Sequence, residues 1–170
     1  MPSRQRPCWF VLTVKPRHEK TTAQRLRMRE LQDFLPLYRV RRAWSDRTQT
    51  LELPLFPGYV FCRFNYQQRL HVLNTPGVRS IVGFGATDVP VEDETVEALQ
   101  TLMASGRPMG PQSRILVGER VRITQGPLEG VRGTLVREGS AWRVVVNVEL
   151  LHRSVAVEVD RDHISQSAGD

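Results

Sequence analysis

The chain has 170 residues, 40% hydrophobic and 25% charged, which is typical of a soluble globular protein with room for one domain or two small ones. No apolar run reaches the roughly 20 residues of a membrane span, and the basic N-terminus lacks a signal-peptide core, so we expect a cytoplasmic protein. The net charge is +6, and twelve Lys and Arg against four Asp and Glu in the first 50 residues predict a polyanion or an acidic protein surface nearby.

The first 104 residues mix strand and helix patterns. The apolar run Trp9 to Val14 predicts a buried strand, and residues 18–30 predict a helix with Ala23 and Leu26 inward. The later elements are a hairpin with its tip at Ser45-Asp46, a strand at 59–64, a short helix through Leu70 and Leu73, a strand at 80–84, and a helix from Glu92 with the apolar stripe Val96, Leu99 and Met103. This order predicts an α+β domain over residues 1–104, with an antiparallel sheet and helices.

The segment PLFPGYVFCRF, residues 54–64, carries the strongest functional signal. A Pro-Gly turn starts a strand whose side chains alternate between two faces. One face, with Val60, Cys62 and Phe64, predicts a core contact. The other face carries Tyr59, Phe61 and Arg63, which is the composition of a protein-binding hot spot. The alternative is a sheet covered on both faces, with Tyr59 and Phe61 simply buried.

A segment rich in Gly and Pro, residues 105–113, separates this part from the rest. Neither helix nor strand interiors favour that mixture, so we expect a flexible linker with a reach of about 17 Å. Residues 114–170 contain only strand and turn patterns, with strands at 131–137, 142–149 and 154–159. A sheet of so few residues must curl on itself to bury enough apolar surface, which predicts a small β-barrel domain.

The sequence also predicts what the protein lacks. Cys8 and Cys62 lie outside any CxxC pattern, and the four histidines show no ligand spacing, so we expect no disulfide framework, metal or cofactor. Gly83-Phe84-Gly85 lacks the remaining spacing of a dinucleotide loop, and no nucleophile motif is present. We therefore predict that the protein is not an enzyme.

Four segments in order, CWFVLTVKPRHEK, PLFPGYVFCRF, TPGVRSIVGFG and VGERVRITQGPLEGVRGTLV, resemble the NusG family of transcription elongation factors. The first three match its N-terminal domain, and the fourth matches its KOW domain, an SH3-like barrel. The resemblance covers roughly residues 8–163. It implies a non-enzymatic, monomeric factor that modulates pausing, termination and antitermination by RNA polymerase.

The resemblance also implies sites. The N-terminal domain of such factors docks on the clamp helices of the largest polymerase subunit through an aromatic patch, and the matching positions are Phe10, Pro57, Gly58, Tyr59, Phe61 and Phe84. Lys15, Arg17, His18 and Arg25 lie near the position where specialised members such as RfaH contact the non-template DNA strand, and of these Lys15 and His18 match positions of that contact. The alternative is that these basic residues are ordinary solvated surface. The His-Thr-Thr element by which RfaH touches the second large subunit is replaced here by Gln68-Arg69-Leu70.

In the KOW domain the turn positions of the family are matched by Gly126, Pro127, Gly130 and Gly133. The hairpin that binds the termination factor Rho or the ribosomal protein NusE matches Leu150, Leu151 and Arg153. Leu151 stands where the family has Phe, and His152 stands where it has Gly. We expect an exposed Leu pair to anchor one of these partners.

Two readings of the function stay open. The first is a polymerase-binding factor, either a housekeeping NusG or an operon-specific paralogue. The second is a KOW-containing RNA-binding protein associated with the ribosome, since KOW units also occur in ribosomal proteins. The second reading explains the basic charge but leaves the Tyr59 strand without a role.

Overall fold

The computed structural model describes residues 6–112 and 118–167. The described residues fall into two compact units, one formed by residues 6–36 with 56–96 and the other by residues 37–55, 97–112 and 118–167. Among the described residues, no helix has the length and apolar content of a bilayer span.

The elements of the first unit are β1 (Cys8–Val14), α1 (Glu19–Met28), β2 (Gln32–Phe34), β5 (Tyr59–Phe64), α2 (Arg69–Leu73), β6 (Val78–Ile81) and a two-stranded ribbon of β7 (Gly83–Phe84) and β8 (Thr87–Asp88). Four of the strands form a sheet with the order β2-β5-β1-β6. All pairings in this sheet are antiparallel. The strand predicted at 80–84 is divided at Val82 into β6 and β7.

One face of this sheet packs on α1 and α2. Leu12, Val60 and Cys62 are fully buried there with Leu26 of α1 and Val72 of α2. The apolar residues of α1 recur at helical spacing, so its Ala23 side is buried while Arg27 and Met28 stay exposed.

The second unit is built on a six-stranded antiparallel sheet of β9 (Met109–Gln112), β10 (Glu119–Ile123), β11 (Arg132–Glu138), β12 (Ala141–Val148), β13 (Arg153–Val159) and β14 (Ile164–Gln166). The order of the strands in this sheet is β14-β10-β11-β12-β13-β9. Val144 and Val145 are adjacent in β12 and point to opposite faces, and both are fully buried. The sheet therefore has apolar cover on both faces at this position.

The second unit also contains a hairpin of β3 (Leu37–Ala43) and β4 (Thr48–Pro54). The turn falls at Ser45-Asp46, as the sequence predicts. The helix α3 (Asp93–Ala104) begins in the predicted acidic run and crosses the boundary between the units. Its fully buried positions are Val96, Leu99 and Leu102, whereas Met103 is half-buried, so the buried stripe ends one residue earlier than predicted.

The fold class is confirmed: an α+β N-terminal part precedes an all-β C-terminal part. The prediction of a coil across residues 105–113 is wrong for Met109–Gln112, which pairs as β9 with Ser154–Val157 of β13. This strand is an edge of the sheet, where Pro111 is tolerated because one side of an edge strand needs no hydrogen-bond partner.

Candidate partner-binding surface

The Pro57-Gly58 turn is a tight and firmly attached structure. The amide of Tyr59 donates to the carbonyl of Phe56 at 3.1 Å, and Gly58 has φ +84°, which is the type II pattern with Pro at the second position and Gly at the third. The carbonyl of Gly58 accepts from the amide of Val14 at 2.9 Å. The turn is thereby held against the end of β1.

A buried carboxylate completes the attachment. Glu19, in the first turn of α1, is 6% exposed, and its Oε1 accepts from the amide of Gly58 at 2.9 Å. Sequence reasoning missed Glu19 because an acidic residue in the first turn of a helix is common for electrostatic reasons alone. The pattern carries no signal that this carboxylate reaches a turn 39 residues away.

The face of β5 predicted to be core is confirmed as core. Val60, Cys62 and Phe64 are all buried, and Phe64 stacks on Phe10 with ring centroids 4.7 Å apart. Phe10 is only 5% exposed. Its assignment to an exposed aromatic patch is therefore wrong. Its position in β1 places the Phe10 ring on the sheet face that packs against α1 and α2.

The opposite face is also closed at its centre. Phe61 has no exposed surface, and its ring lies between those of Phe34 at 5.8 Å and Phe56 at 6.0 Å. The prediction that Phe61 faces outward is wrong, and the alternative of a sheet covered on both faces is right at this position. The cause is the strand pairing: Phe61 pairs with Val11 in β1 and with Phe34 in β2, so apolar side chains surround it.

The predicted aromatic patch keeps exposed surface at two separate places. Pro57 is exposed, and Gly58 and Tyr59 are half-buried. Phe84, 68% exposed, lies on the β7–β8 ribbon. Val82 pairs with Val11 whereas Tyr59 pairs with Thr13, so the register places Phe84 towards the other end of β1 from Tyr59. The structure thus does not join the predicted patch into one surface.

The ribbon that carries Phe84 is anchored by a carboxylate. Oδ2 of Asp88 accepts from Nε of Arg69 at 2.6 Å and from the hydroxyl of Tyr66 at 3.3 Å. The Asp88 side chain is 8% exposed, which shields this charge-assisted pair from water. Hydrogen bonding to Asp88 also raises the pKa of Arg69.

The predicted basic residues do come together beside the turn. Lys15, Arg17 and His18 are exposed in the link between β1 and α1. The backbone amide of Lys15 donates to the carbonyl of Gly77 at 2.9 Å, and the guanidinium of Arg25 donates to the carbonyl of Pro76 at 3.1 Å. Because Gly58 is bonded to residues on both sides of this link, the basic residues and the turn occupy the same end of the sheet.

The buried thiol of Cys62 has low reactivity. Burial, followed by the negative charge of Asp33, raises the pKa of Cys62 to about 12. Asp33 in turn accepts two hydrogen bonds from Arg27, at 3.0 Å from Nε and 2.9 Å from the terminal nitrogen, and these raise the pKa of Arg27. A thiol held in its neutral form is a weak nucleophile, so Cys62 acts as a core residue.

In the second unit the predicted glycines occupy positions where the backbone geometry disfavours a side chain. Gly126 and Gly130 have φ +81° and +90°, which tight turns require and which side chains disfavour. Gly133 allows a close approach, because a Cβ there would collide with the carbonyl oxygen of Val145.

The predicted partner-binding loop is less open than expected. The short 3₁₀ turn Glu149–Leu151 ends in a Leu151 that is only 7% exposed, and Leu150 and Arg153 are half-buried. The expectation of an exposed Leu pair is wrong at Leu151. His152 follows with φ +50°, the left-handed conformation that Gly adopts more easily.

Comparison with known proteins agrees with this architecture. The family model "Transcription termination factor nusG" matches residues 7–100. Proteins named transcription termination/antitermination protein NusG are similar over the chain: one from Borreliella burgdorferi is 24% identical, covering 93% of this chain and 97% of its own length, and one from Lactococcus lactis is 27% identical, covering 92% and 91%.

A solved structure shares the fold. The chain described as "Domain interaction in Thermotoga maritima NusG" has a TM-score of 0.55 at 20% identity, covering 95% of this chain and 97% of that chain. The family model spans more than half of the residues and includes the Pro57-Gly58 turn and the basic link beside it. The chain therefore belongs to the NusG family.

Proposed function

We propose that this protein is a transcription factor that binds RNA polymerase and modulates pausing, termination and antitermination. The observation that carries the proposal is the family match over residues 7–100, which contain an exposed turn held rigid beside a basic link. The similar proteins from Borreliella burgdorferi and Lactococcus lactis are named for termination and antitermination.

The polymerase contact is assigned to Pro57, Gly58 and Tyr59, with Phe84 as a separate second contact. These are the positions of the family patch that keep exposed surface, and the clamp helices of the largest polymerase subunit are the expected partner. The bond that the Gly58 amide donates to Glu19 and the bond that its carbonyl accepts from Val14 fix the turn before binding, which lowers the ordering cost of association. Phe10 and Phe61 are buried on opposite faces of the sheet, so we assign them to the core and not to this contact.

The basic link suits a nucleic-acid backbone near that partner. Lys15 and Arg17 are exposed and two positions apart, so they can neutralise phosphates of the non-template DNA strand without reading its sequence, and His18 is exposed next to them. Arg25 already donates to Pro76 and stiffens the segment that supports Lys15.

The all-β region is proposed to recruit a second partner, Rho or the ribosomal protein NusE. Leu150 and Arg153 are the accessible members of the predicted loop, and the buried Leu151 holds the loop in place. Such an arrangement would let one chain connect polymerase to termination or translation.

Binding of the full chain to purified RNA polymerase core enzyme tests the first contact. Tyr59→Ala should weaken binding by about tenfold or more, the effect of a hot-spot aromatic. Met28→Ala is the matched control, because Met28 is 77% exposed on the far end of α1 and its loss should leave binding unchanged.

Two results would contradict the proposal. Equal polymerase affinity for wild type and Tyr59→Ala would show that Tyr59 does not contribute to the assigned contact. Recovery of ribosomes without polymerase from cell extract, unaffected by Tyr59→Ala, would favour the ribosome-associated reading instead. Single-round transcription with and without Rho gives the direction of the effect on termination.

A further inference from the structure

The β3–β4 hairpin ends in a tip that the proposed function does not use. The amide of Trp44 donates to the carbonyl of Arg47 at 2.7 Å, and the amide of Arg47 donates back at 3.3 Å, closing a two-residue turn. Every residue from 41 to 50 is exposed. Trp44 keeps 58% of its surface exposed, which is unusual for so large an apolar side chain.

The strand register places a specific set of side chains on one face of this tip. Trp44 and Arg47 form the hydrogen-bonded pair next to the turn, and Arg42 and Gln49 form the next pair on the same face. Further from the tip this face continues with four half-buried apolar side chains: Tyr38, Val40, Leu51 and Leu53.

The guanidiniums at the tip are available for a ligand. Within the described ranges 6–112 and 118–167, neither Arg42 nor Arg47 makes an ion pair. Arg39 does pair with Glu52 at 3.7 Å, but these residues alternate onto the opposite face. Residues 37–54 carry four Arg against Asp46 and Glu52, so the hairpin is net positive.

We propose that this tip binds single-stranded nucleic acid. The indole of Trp44 stacks on an unpaired base, the guanidiniums of Arg42 and Arg47 contact phosphates, and the amide of Gln49 is placed to meet a base edge. An aromatic platform bordered by positive charge is the composition that unpaired strands require.

The composition favours a strand with open bases over a duplex. A duplex would engage the arginines but leaves no base face free for the indole. A protein partner would also use an exposed Trp beside Arg as a hot spot, and the net positive charge of the hairpin favours a polyanion over it. Single-strand binding that does not depend on Trp44 is the outcome that would assign the tip to a protein.

Fluorescence anisotropy with labelled 12-nucleotide oligomers of mixed sequence tests the proposal on the full chain. Trp44→Ala should weaken binding to single strands at least about fivefold, whereas Trp44→Phe, which keeps a stacking ring, should retain most of the affinity. Arg42→Ala with Arg47→Ala should reduce the slope of log affinity against log salt by about 1.4, since each phosphate contact to a single strand contributes about 0.7.

A charge-matched control is Arg120→Ala with Arg122→Ala, two exposed positions on β10. It should weaken binding less than the Arg42 and Arg47 pair does. DNA and RNA arms identify the source of the strand, and dependence on Trp44 in either arm supports the site. Equal single-strand affinity for wild type and Trp44→Ala in both arms, or an equal Trp44 effect on a duplex, would overturn the proposal whatever happens to polymerase binding.

Discussion

Oε1 of Glu19 lies 2.9 Å from the amide nitrogen of Gly58, and this bond joins the first turn of α1 to the turn that precedes β5. Glu19 is buried, so the bond is protected from competing water. It fixes the Pro57-Gly58 turn, one of the two exposed parts of the proposed polymerase contact, through residues that are far apart in the sequence.

Glu19→Ala should destabilise the protein by about 1–3 kcal/mol, because the Gly58 amide loses its acceptor and a cavity forms beside it. Glu19→Gln keeps an oxygen acceptor and should cost less. Urea unfolding followed by circular dichroism measures both. Equal stability of Glu19→Ala and wild type would show that the bond does not hold the turn.

Phe61 and Phe84 should respond oppositely to truncation. Phe61→Ala removes a fully buried ring packed on Phe34 and Phe56 and should cost about 3–5 kcal/mol. Phe84→Ala, at a position 68% exposed, should change stability by no more than about 0.5 kcal/mol. Thermal unfolding compares the two variants. If Phe61→Ala is as stable as wild type, the ring is not buried and Phe61 belongs to the exposed patch.

Cys62 should resist thiol reagents in the native state. Its pKa is raised to about 12, mainly by burial, so almost no thiolate exists at pH 8. Alkylation followed by mass spectrometry should label Cys8, which is half-buried, well before Cys62. Rapid labelling of both cysteines without denaturant would contradict the buried assignment.

The raised pKa of Cys62 also predicts a loss of stability at high pH. The unfolded thiol ionises near its ordinary value of 9.0, while the native thiol stays neutral until about pH 12. The unfolded state therefore binds fewer protons across that interval, and stability falls as the pH rises through it. Cys62→Val, which has no ionisable group, should show a smaller decline in urea midpoint from pH 8.5 to 10.5.

Two glycines of the all-β sheet should differ sharply in tolerance to alanine. Gly133→Ala forces a Cβ against the Val145 carbonyl and should cost about 1–3 kcal/mol. Gly110→Ala in β9 meets nothing within 4 Å and should be close to neutral. Chemical unfolding of the full-length variants tests this contrast, and a neutral Gly133→Ala would mean that β11 and β12 are not so closely paired.

The sequence determined features that depend on local pattern. The alternation in β5 placed Val60, Cys62 and Phe64 on one face, the Pro-Gly pair placed the turn, and Ser45-Asp46 placed the hairpin tip. Local dihedral preference and side-chain periodicity decide these features, and both can be read within a few residues.

Tertiary structure alone decided which faces are covered. Alternation shows that Tyr59 and Phe61 share a face, but only the arrival of Phe34 and Phe56 buries Phe61 while Tyr59 stays partly open. Likewise Met109–Gln112 becomes a strand because β13 offers backbone partners to it, and backbone hydrogen bonding does not depend on side-chain pattern. Phe34 and β13 are far in sequence from the residues that they cover or pair with, so the fold that brings them there cannot be read from any local window.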